Sequence, residues 1–224
     1  MEELSRIESL GVDVQKLKNA KILLFGVGGV GSYTLEMLAR CFIGHLTIVD
    51  NDVVQSSNIN RQLVAYQSTI GLDKVDVAKQ RILDINPNCE VITHKMFVLP
   101  ENISFFEFSQ YDYIIDAIDT ISAKIAIIEK AKKDNVKIIS SMGTGNKFHP
   151  ELLKIMDLSK TTVCPLARVM RYELRKININ HVTVLSSTEE PQKINSNTPG
   201  SIAYVPSAAG ILIASHVVNE IIGK

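Results

Sequence analysis

Tryptophan is absent from the 224-residue sequence, and glycine and proline are few, at 12 and 7. No low-complexity tract or internal repeat occurs, so a collagen-like or low-complexity chain is excluded. With 46% apolar residues the composition is that of an ordinary globular protein. Neither charge is in excess, since 24 Lys and Arg stand against 24 Asp and Glu. That balance excludes a uniformly basic nucleic-acid binder and an acidic tail protein. Cysteine is limited to Cys41, Cys89 and Cys164, far apart and never as C-x-x-C. A zinc knuckle of paired cysteines is thereby ruled out, and the odd count points to reduced, cytoplasmic thiols. The N-terminus, Met1-Glu-Glu-Leu-Ser-Arg6, carries acid and no apolar core, so no secretory leader is expected there. The longest apolar stretch, Ile202 to Ile222, is broken by Pro206, His216, Asn219 and Glu220. It reads as a core helix rather than a membrane span.

What is present is an alternation of short apolar runs and helical stretches. At this length about 70% of the unfolded surface can be buried, so neither a disulfide nor a metal is needed for folding. Strands are expected at Lys21–Phe25, Leu46–Asp50, Val91–His94, Tyr113–Asp116 and Val136–Ser140. Helices are expected at Tyr33–Arg40, Val75–Ile85 and Ser122–Lys133. After Gly143-Thr-Gly145 the rhythm changes. Strands at Leu152–Met156 and His181–Leu185 flank a helix at Pro165–Lys176, a polar loop runs from Glu189 to Ser201, and Ser207–Ile222 closes the chain as a helix. The expected fold is α/β: a Rossmann-like, doubly wound, mostly parallel sheet extended by C-terminal strands, with helices on both faces. It forms one domain over 1–224, with a nucleotide-binding half at 1–145 and a substrate-facing part at 146–224.

The first chemical signal is Gly26-Val-Gly-Gly-Val-Gly31, a G-x-G-G-x-G turn between a strand and a helix. Gly26, Gly28, Gly29 and Gly31 allow a tight turn and let phosphate oxygens approach backbone N–H groups at a helix N-terminus. Asp50 ends the next strand, where an acid can accept ribose hydroxyl hydrogens. This context says nucleotide and leaves dinucleotide and ATP both open. The following segment, Asp50-Asn-Asp-Val-Val-Gln-Ser-Ser-Asn-Ile-Asn-Arg-Gln62 and then Gly71-Leu-Asp-Lys-Val75, favours a triphosphate. Arg61 and Lys74 can neutralise phosphates, one as a planar fork and one as a point charge, and Asn58 can hydrogen-bond a phosphate.

These residues, D-x-D-x-V-x-x-S-N-x-N-R-Q and G-x-x-K-V behind G-x-G-G-x-G, resemble the ThiF-type adenylyltransferases related to ubiquitin-activating enzymes. The resemblance covers nearly the whole chain. It implies ATP and Mg2+ as cofactors and AMP transfer to a carboxylate. Asp50 would hold the ribose, Asp52 and Gln62 would line the ATP site, and Asn58, Arg61 and Lys74 would address the triphosphate. Asp119 matches the family's magnesium acid, and Arg6 resembles an N-terminal arginine that reaches a partner subunit's site, with one residue fewer before Gly11 than the family pattern. A homodimer is implied, and sulfur-transfer partner proteins are a further option within the family.

The acceptor is narrowed by Ser140-Ser-Met-Gly-Thr-Gly-Asn-Lys147 and by Asp157 to Arg171. This stretch resembles the tRNA threonylcarbamoyladenosine dehydratases, with Cys164 where that branch carries an acid before Pro-Leu-Ala. The implied substrate is the carboxylate of threonylcarbamoyladenosine in tRNA, closed to a cyclic product. Lys160, Arg168, Arg171, Arg175 and Lys176 stand against Glu173 alone, and the arginines recur at helical spacing, so they form a candidate tRNA stripe. The zero net charge is thus composite. An opposite excess lies at 95–119, where Glu101, Glu107, Asp112, Asp116 and Asp119 face only Lys95, and part of it suits a magnesium site. Cys41, Cys89 and Cys164 are read as packing residues, and the five histidines show no ligand spacing. The competing readings are a carrier-protein adenylyltransferase, a nicotinamide oxidoreductase and a non-catalytic RNA-binding relative.

Overall fold

The computed structural model describes residues 2–195 and 198–224. Two short helices, α1 (Ser5–Glu8) and α2 (Val14–Asn19), lead into β1 (Lys21–Phe25) and α3 (Gly31–Arg40). The chain continues through β2 (His45–Val49), α4 (Lys74–Ile85), β3 (Glu90–His94), β4 (Tyr113–Asp116), α5 (Ile121–Lys133) and β5 (Lys137–Ser141). It ends with β6 (Leu153–Asp157), α6 (Pro165–Lys176), β7 (Thr183–Ser187) and α7 (Tyr204–Ile222).

The seven strands form one sheet in the order β3-β2-β1-β4-β5-β7-β6, parallel except where β6 runs against β7. The expected doubly wound sheet with C-terminal extension is therefore the observed one. Strand alternation explains its two cores. On β1, Ile22 and Leu24 point to the face covered by α3, α4 and α7, while Leu23 and Phe25 point to the face of α5 and α6. Phe25 is fully buried and meets the edge of Phe106 with centroids 5.3 Å apart. Burial of such a ring stabilises by about 1.5–3 kcal/mol.

Boundaries differ from the sequence reading in explicable ways. The last helix starts at Tyr204, because Pro206 falls in its first turn, where a missing N–H costs no helical bond. This helix is long and apolar enough to cross a membrane by length and composition. Its Val205, Ala209, Ile213 and Val217 are instead buried in the core against α3 and the sheet. The strand expected at His181 begins at Thr183; the exposed His181 ring sits 3.2 Å from Asp157 outside the ladder. Of the expected loop 189–201, residues 196 and 197 lie outside the described residues.

Candidate active-site cleft

Strand order reverses about β1, whose neighbours are β2 and β4. Crossovers leave that point on opposite faces of the sheet, so a crevice opens beyond the carboxyl ends of the strands. Here it is a cleft of about 670 Å³. Its lining takes in Gly26, Gly28 and Gly29 of the turn, Asp50 and Asp52 after β2, Asn58, Arg61 and Gln62, Lys74 at the start of α4, and Asp119 after β4. The opposite wall is made by residues 141–145 and 198–201.

The glycine turn explains its own composition. Gly26 has φ +94°, and a Cβ at Gly31 would lie 1.8 Å from the Gly26 carbonyl oxygen. Gly31 therefore lets α3 start directly on the turn and faces away from the cleft. A Cβ at Gly28 would meet no protein atom within 4 Å. Because Gly28 lines the cleft, that side chain would project into the cavity.

Asp50 is tied into the turn. Its Oδ2 accepts the Val27 N–H at 2.6 Å and its Oδ1 the Asp52 N–H at 2.8 Å. Burial raises its pKa above the ordinary carboxylate value, against those two bonds and the nearby Lys74. Lys74 is only 4% exposed and donates from Nζ to Asp52 Oδ2 at 2.8 Å. Asn58 is buried; its Oδ1 accepts the Gln55 N–H at 3.0 Å, which leaves its amide nitrogen for the cleft. Arg61 Nη1 donates to Ser57 O at 2.9 Å and Asn60 Oδ1 at 2.8 Å. Among the described residues no carboxylate pairs with the Arg61 guanidinium. Gln62 is buried, and its Oε1 has no hydrogen-bond partner among them. A guanidinium without a carboxylate partner, an orphaned amide oxygen and open space at Gly28 thus converge on one cavity, an arrangement suited to a nucleotide.

A model of the ThiF family matches residues 3–224. This chain belongs to the ThiF family. It is 42% identical to the tRNA threonylcarbamoyladenosine dehydratase of Bacillus subtilis, over 93% of this chain and 89% of that one. The crystal structure of the Escherichia coli tRNA N6-threonylcarbamoyladenosine dehydratase, TcdA, in complex with ATP matches with a TM-score of 0.93 at 31% identity. That match covers 99% of this chain and 94% of the E. coli chain. The Candida glabrata adenylyltransferase and sulfurtransferase UBA4 is 33% identical over 73% of this chain, which spans 40% of its length.

Within this ThiF-family fold some sequence candidates lie apart from the cleft. Arg6 is exposed on α1, outside the lining of its own chain's cleft. Arg168 and Arg175 are exposed on α6, as is Tyr172, which carries the Lys176 ammonium 4.3 Å from its ring centroid. Lys160 is exposed in the turn before that helix. Arg171 lies on the same side of α6 but is half-buried. Its Nη1 bonds the Thr161 carbonyl oxygen and hydroxyl, holding that turn onto α6.

The acidic stretch 95–119 does not face the cleft as a group. Asp116 is fully buried against Lys124, and of the five acids only Asp119 lines the cavity. Cysteine chemistry matches the packing reading. Burial pushes the Cys89 thiol up to about 12 and raises Cys41, while Cys164 is 2% exposed in an apolar cluster with Met142 and Leu158. Among the described residues no three His, Cys, Asp or Glu side chains form a metal cluster.

Proposed function

We propose that this chain is an ATP-dependent dehydratase that adenylylates the carboxylate of threonylcarbamoyladenosine in tRNA and closes it to the cyclic nucleoside. The observation that carries the reading is the full-length likeness to the ATP-bound E. coli dehydratase, combined with a cleft in which unpaired Arg61 and buried Lys74 face an open glycine turn.

In the first half-reaction a carboxylate oxygen attacks the α-phosphorus of ATP, the bond to the bridging oxygen breaks, and pyrophosphate leaves. The chain needs no nucleophile for this step. Arg61 and Lys74 cancel charge on the phosphates, the N–H groups at the start of α3 hold phosphate oxygens, and Asp50 accepts from the ribose. In the second half-reaction the neighbouring carbamoyl group attacks the activated carbonyl carbon. Its proton passes to solvent, and AMP leaves with the former carboxylate oxygen, so the nucleoside has lost one water. Attack within one substrate has a high effective molarity, which makes a cysteine relay dispensable.

Asp119 fits a nucleotide-bound Mg2+. It is exposed in the cleft and, among the described residues, its carboxylate has no hydrogen-bond or ion-pair partner. A hard cation of this kind takes one or two carboxylates and completes its shell with phosphate oxygens and water. When bound it neutralises charge on the triphosphate.

The tRNA is assigned to the exposed face of Lys160, Arg168, Tyr172 and Arg175, on the helix whose Leu166 lines the cleft. Arg6 is assigned to the cleft of a second copy in a homodimer, and the setting is cytoplasmic. The deciding experiment is mass spectrometry of digested tRNA after incubation with ATP and the protein, where loss of one water from threonylcarbamoyladenosine is expected and no mass change overturns the reading. The likeness to UBA4 favours a second reading, activation of a carrier protein's C-terminus. An adenylate on a small diglycine-ended protein, with tRNA unchanged, would establish it instead.

A further inference from the structure

Asp116 and Lys124 form an ion pair at 2.9 Å in which both side chains are 0% exposed. Neither lines the cleft. A buried pair of this kind is weak evidence for stability, because apolar side chains of similar volume often serve as well or better. Its other bonds show what it does. Lys124 Nζ also donates to the Ile118 carbonyl oxygen at 3.1 Å and to the Ser141 carbonyl oxygen at 2.8 Å, so all three ammonium protons are used. Asp116 Oδ2 accepts from Ser140 Oγ at 2.6 Å, and its Oδ1 from the Ile118 N–H at 3.3 Å.

These contacts follow from register and helix phase. Asp116 and Ser140 are paired neighbours at the ends of β4 and β5, and Lys124 lies on the first turn of α5. From those two strand ends run segments 117–120 and 141–145, which line the cleft from different strands. Ile118 is one residue before Asp119, and Ser141 opens the glycine-containing segment 141–145. One ammonium group therefore fixes both segments by a carbonyl each, with a charge buried beneath them as the anchor.

We propose that Lys124, held by Asp116, is a positioning residue that sets the spacing between these two segments for adenylyl transfer. This rests on the adenylyl-transfer reading above. The glycine turn, Asp50, Arg61 and Lys74 bind most of ATP from other elements, so loss of the tie should lower the rate far more than ATP affinity, by misplacing Asp119 and the attacking carboxylate. A misplacement of about 1 Å can cost about 10²-fold in rate.

The test compares wild type, Lys124→Met and the double variant Asp116→Asn/Lys124→Met. The single variant strands a buried carboxylate and should melt early. The double variant removes both charges and should recover most of the melting temperature. ATP–pyrophosphate exchange, measured with the threonylcarbamoyl tRNA, should nevertheless show kcat down by about 10²-fold and the KM for ATP changed by less than about 3-fold. Amide hydrogen exchange should be faster in 117–120 and 141–145 of the double variant and unchanged in the glycine turn. A double variant that recovers melting temperature, kcat and slow exchange in both segments overturns the proposal. If wild type exchanges no pyrophosphate, the adenylyl-transfer reading falls, and the amide exchange still decides whether Lys124 sets these segments.

Discussion

Lys74 Nζ and Asp52 Oδ2 lie 2.8 Å apart in an unequal environment, the lysine side chain 5% exposed and the aspartate 57%. The cation is held in the wall of the cleft, while its partner stays solvated. Removing the lysine leaves Asp52 solvated, and the more buried Asp50 keeps its two backbone N–H bonds, so the replacement should be felt by the ligand more than by the fold. Lys74→Met is expected to lower ATP–pyrophosphate exchange by at least about 10²-fold with little change in melting temperature, and Arg61→Ala to do the same. Undiminished exchange in both variants would sink the proposed role of these cations.

The glycine turn separates folding from binding. Gly28→Ala places a methyl where no protein atom lies within 4 Å, whereas Gly31→Ala drives one to 1.8 Å from the Gly26 carbonyl oxygen. Gly28→Ala should therefore melt with wild type and bind ATP at least about 10-fold more weakly by calorimetry. Gly31→Ala should lose melting temperature by several degrees or fail to fold. Equal ATP affinity in Gly28→Ala would place the phosphates elsewhere.

Much of this site was legible because many of its residues sit on one short stretch between β2 and α4. From Asp50 to Gln62 the local chain itself brings Asp50, Asp52, Asn58, Arg61 and Gln62 to one cleft. The Lys124 tie was not legible. It depends on β4 pairing with β5 in the register that sets Asp116 beside Ser140, and on the helix phase that aims Lys124 back at them. Nothing in the local pattern separated Asp116, which is buried and paired, from Asp119, three residues on and exposed in the cleft. The same limit applies to the arginine stripe. Helical spacing placed Arg168, Arg171 and Arg175 on one side, but only the fold brings Thr161 within reach of Arg171.

Acid stability has an identifiable source away from the cleft. Glu36 on α3 is 6% exposed and receives Arg81 Nε at 2.6 Å from α4 and Arg40 Nε at 2.8 Å from its own helix. Burial works to raise its pKa, but the bonds and charges of Arg81 and Arg40 prevail and hold it below the ordinary 4.5. A carboxylate lowered on folding stabilises above its unfolded value, and that contribution is lost as pH falls through the folded value. Glu36→Gln should thus cost about 1–2 kcal/mol at pH 7, the solvated arginines reducing the effect. In melting temperature this is a few degrees. The gap between the variant and wild type should be constant above pH 5 and close as pH falls below 4.5. A gap that persists in acid would assign the effect to packing rather than charge.

The arginines of α6 should divide by role. Arg168 and Arg175 are exposed and, among the described residues, carry no ion pair, while Arg171 is bonded to Thr161. Each lysine or arginine that neutralises one phosphate contributes about 0.7–0.9 to the slope of log affinity against log salt. Replacing Arg168 and Arg175 together by Ala should lower that slope for tRNA by about 1.4–1.8 and leave the melting temperature unchanged. Arg171→Ala should do the reverse, costing melting temperature through the freed turn at Thr161 with a smaller change in slope. Tyr172, with the Lys176 ammonium over its ring, offers a stacking surface for an unpaired base, so Tyr172→Ala should weaken tRNA binding at all salt concentrations without altering the slope. An unchanged slope in the Arg168/Arg175 double variant would move the tRNA to another face.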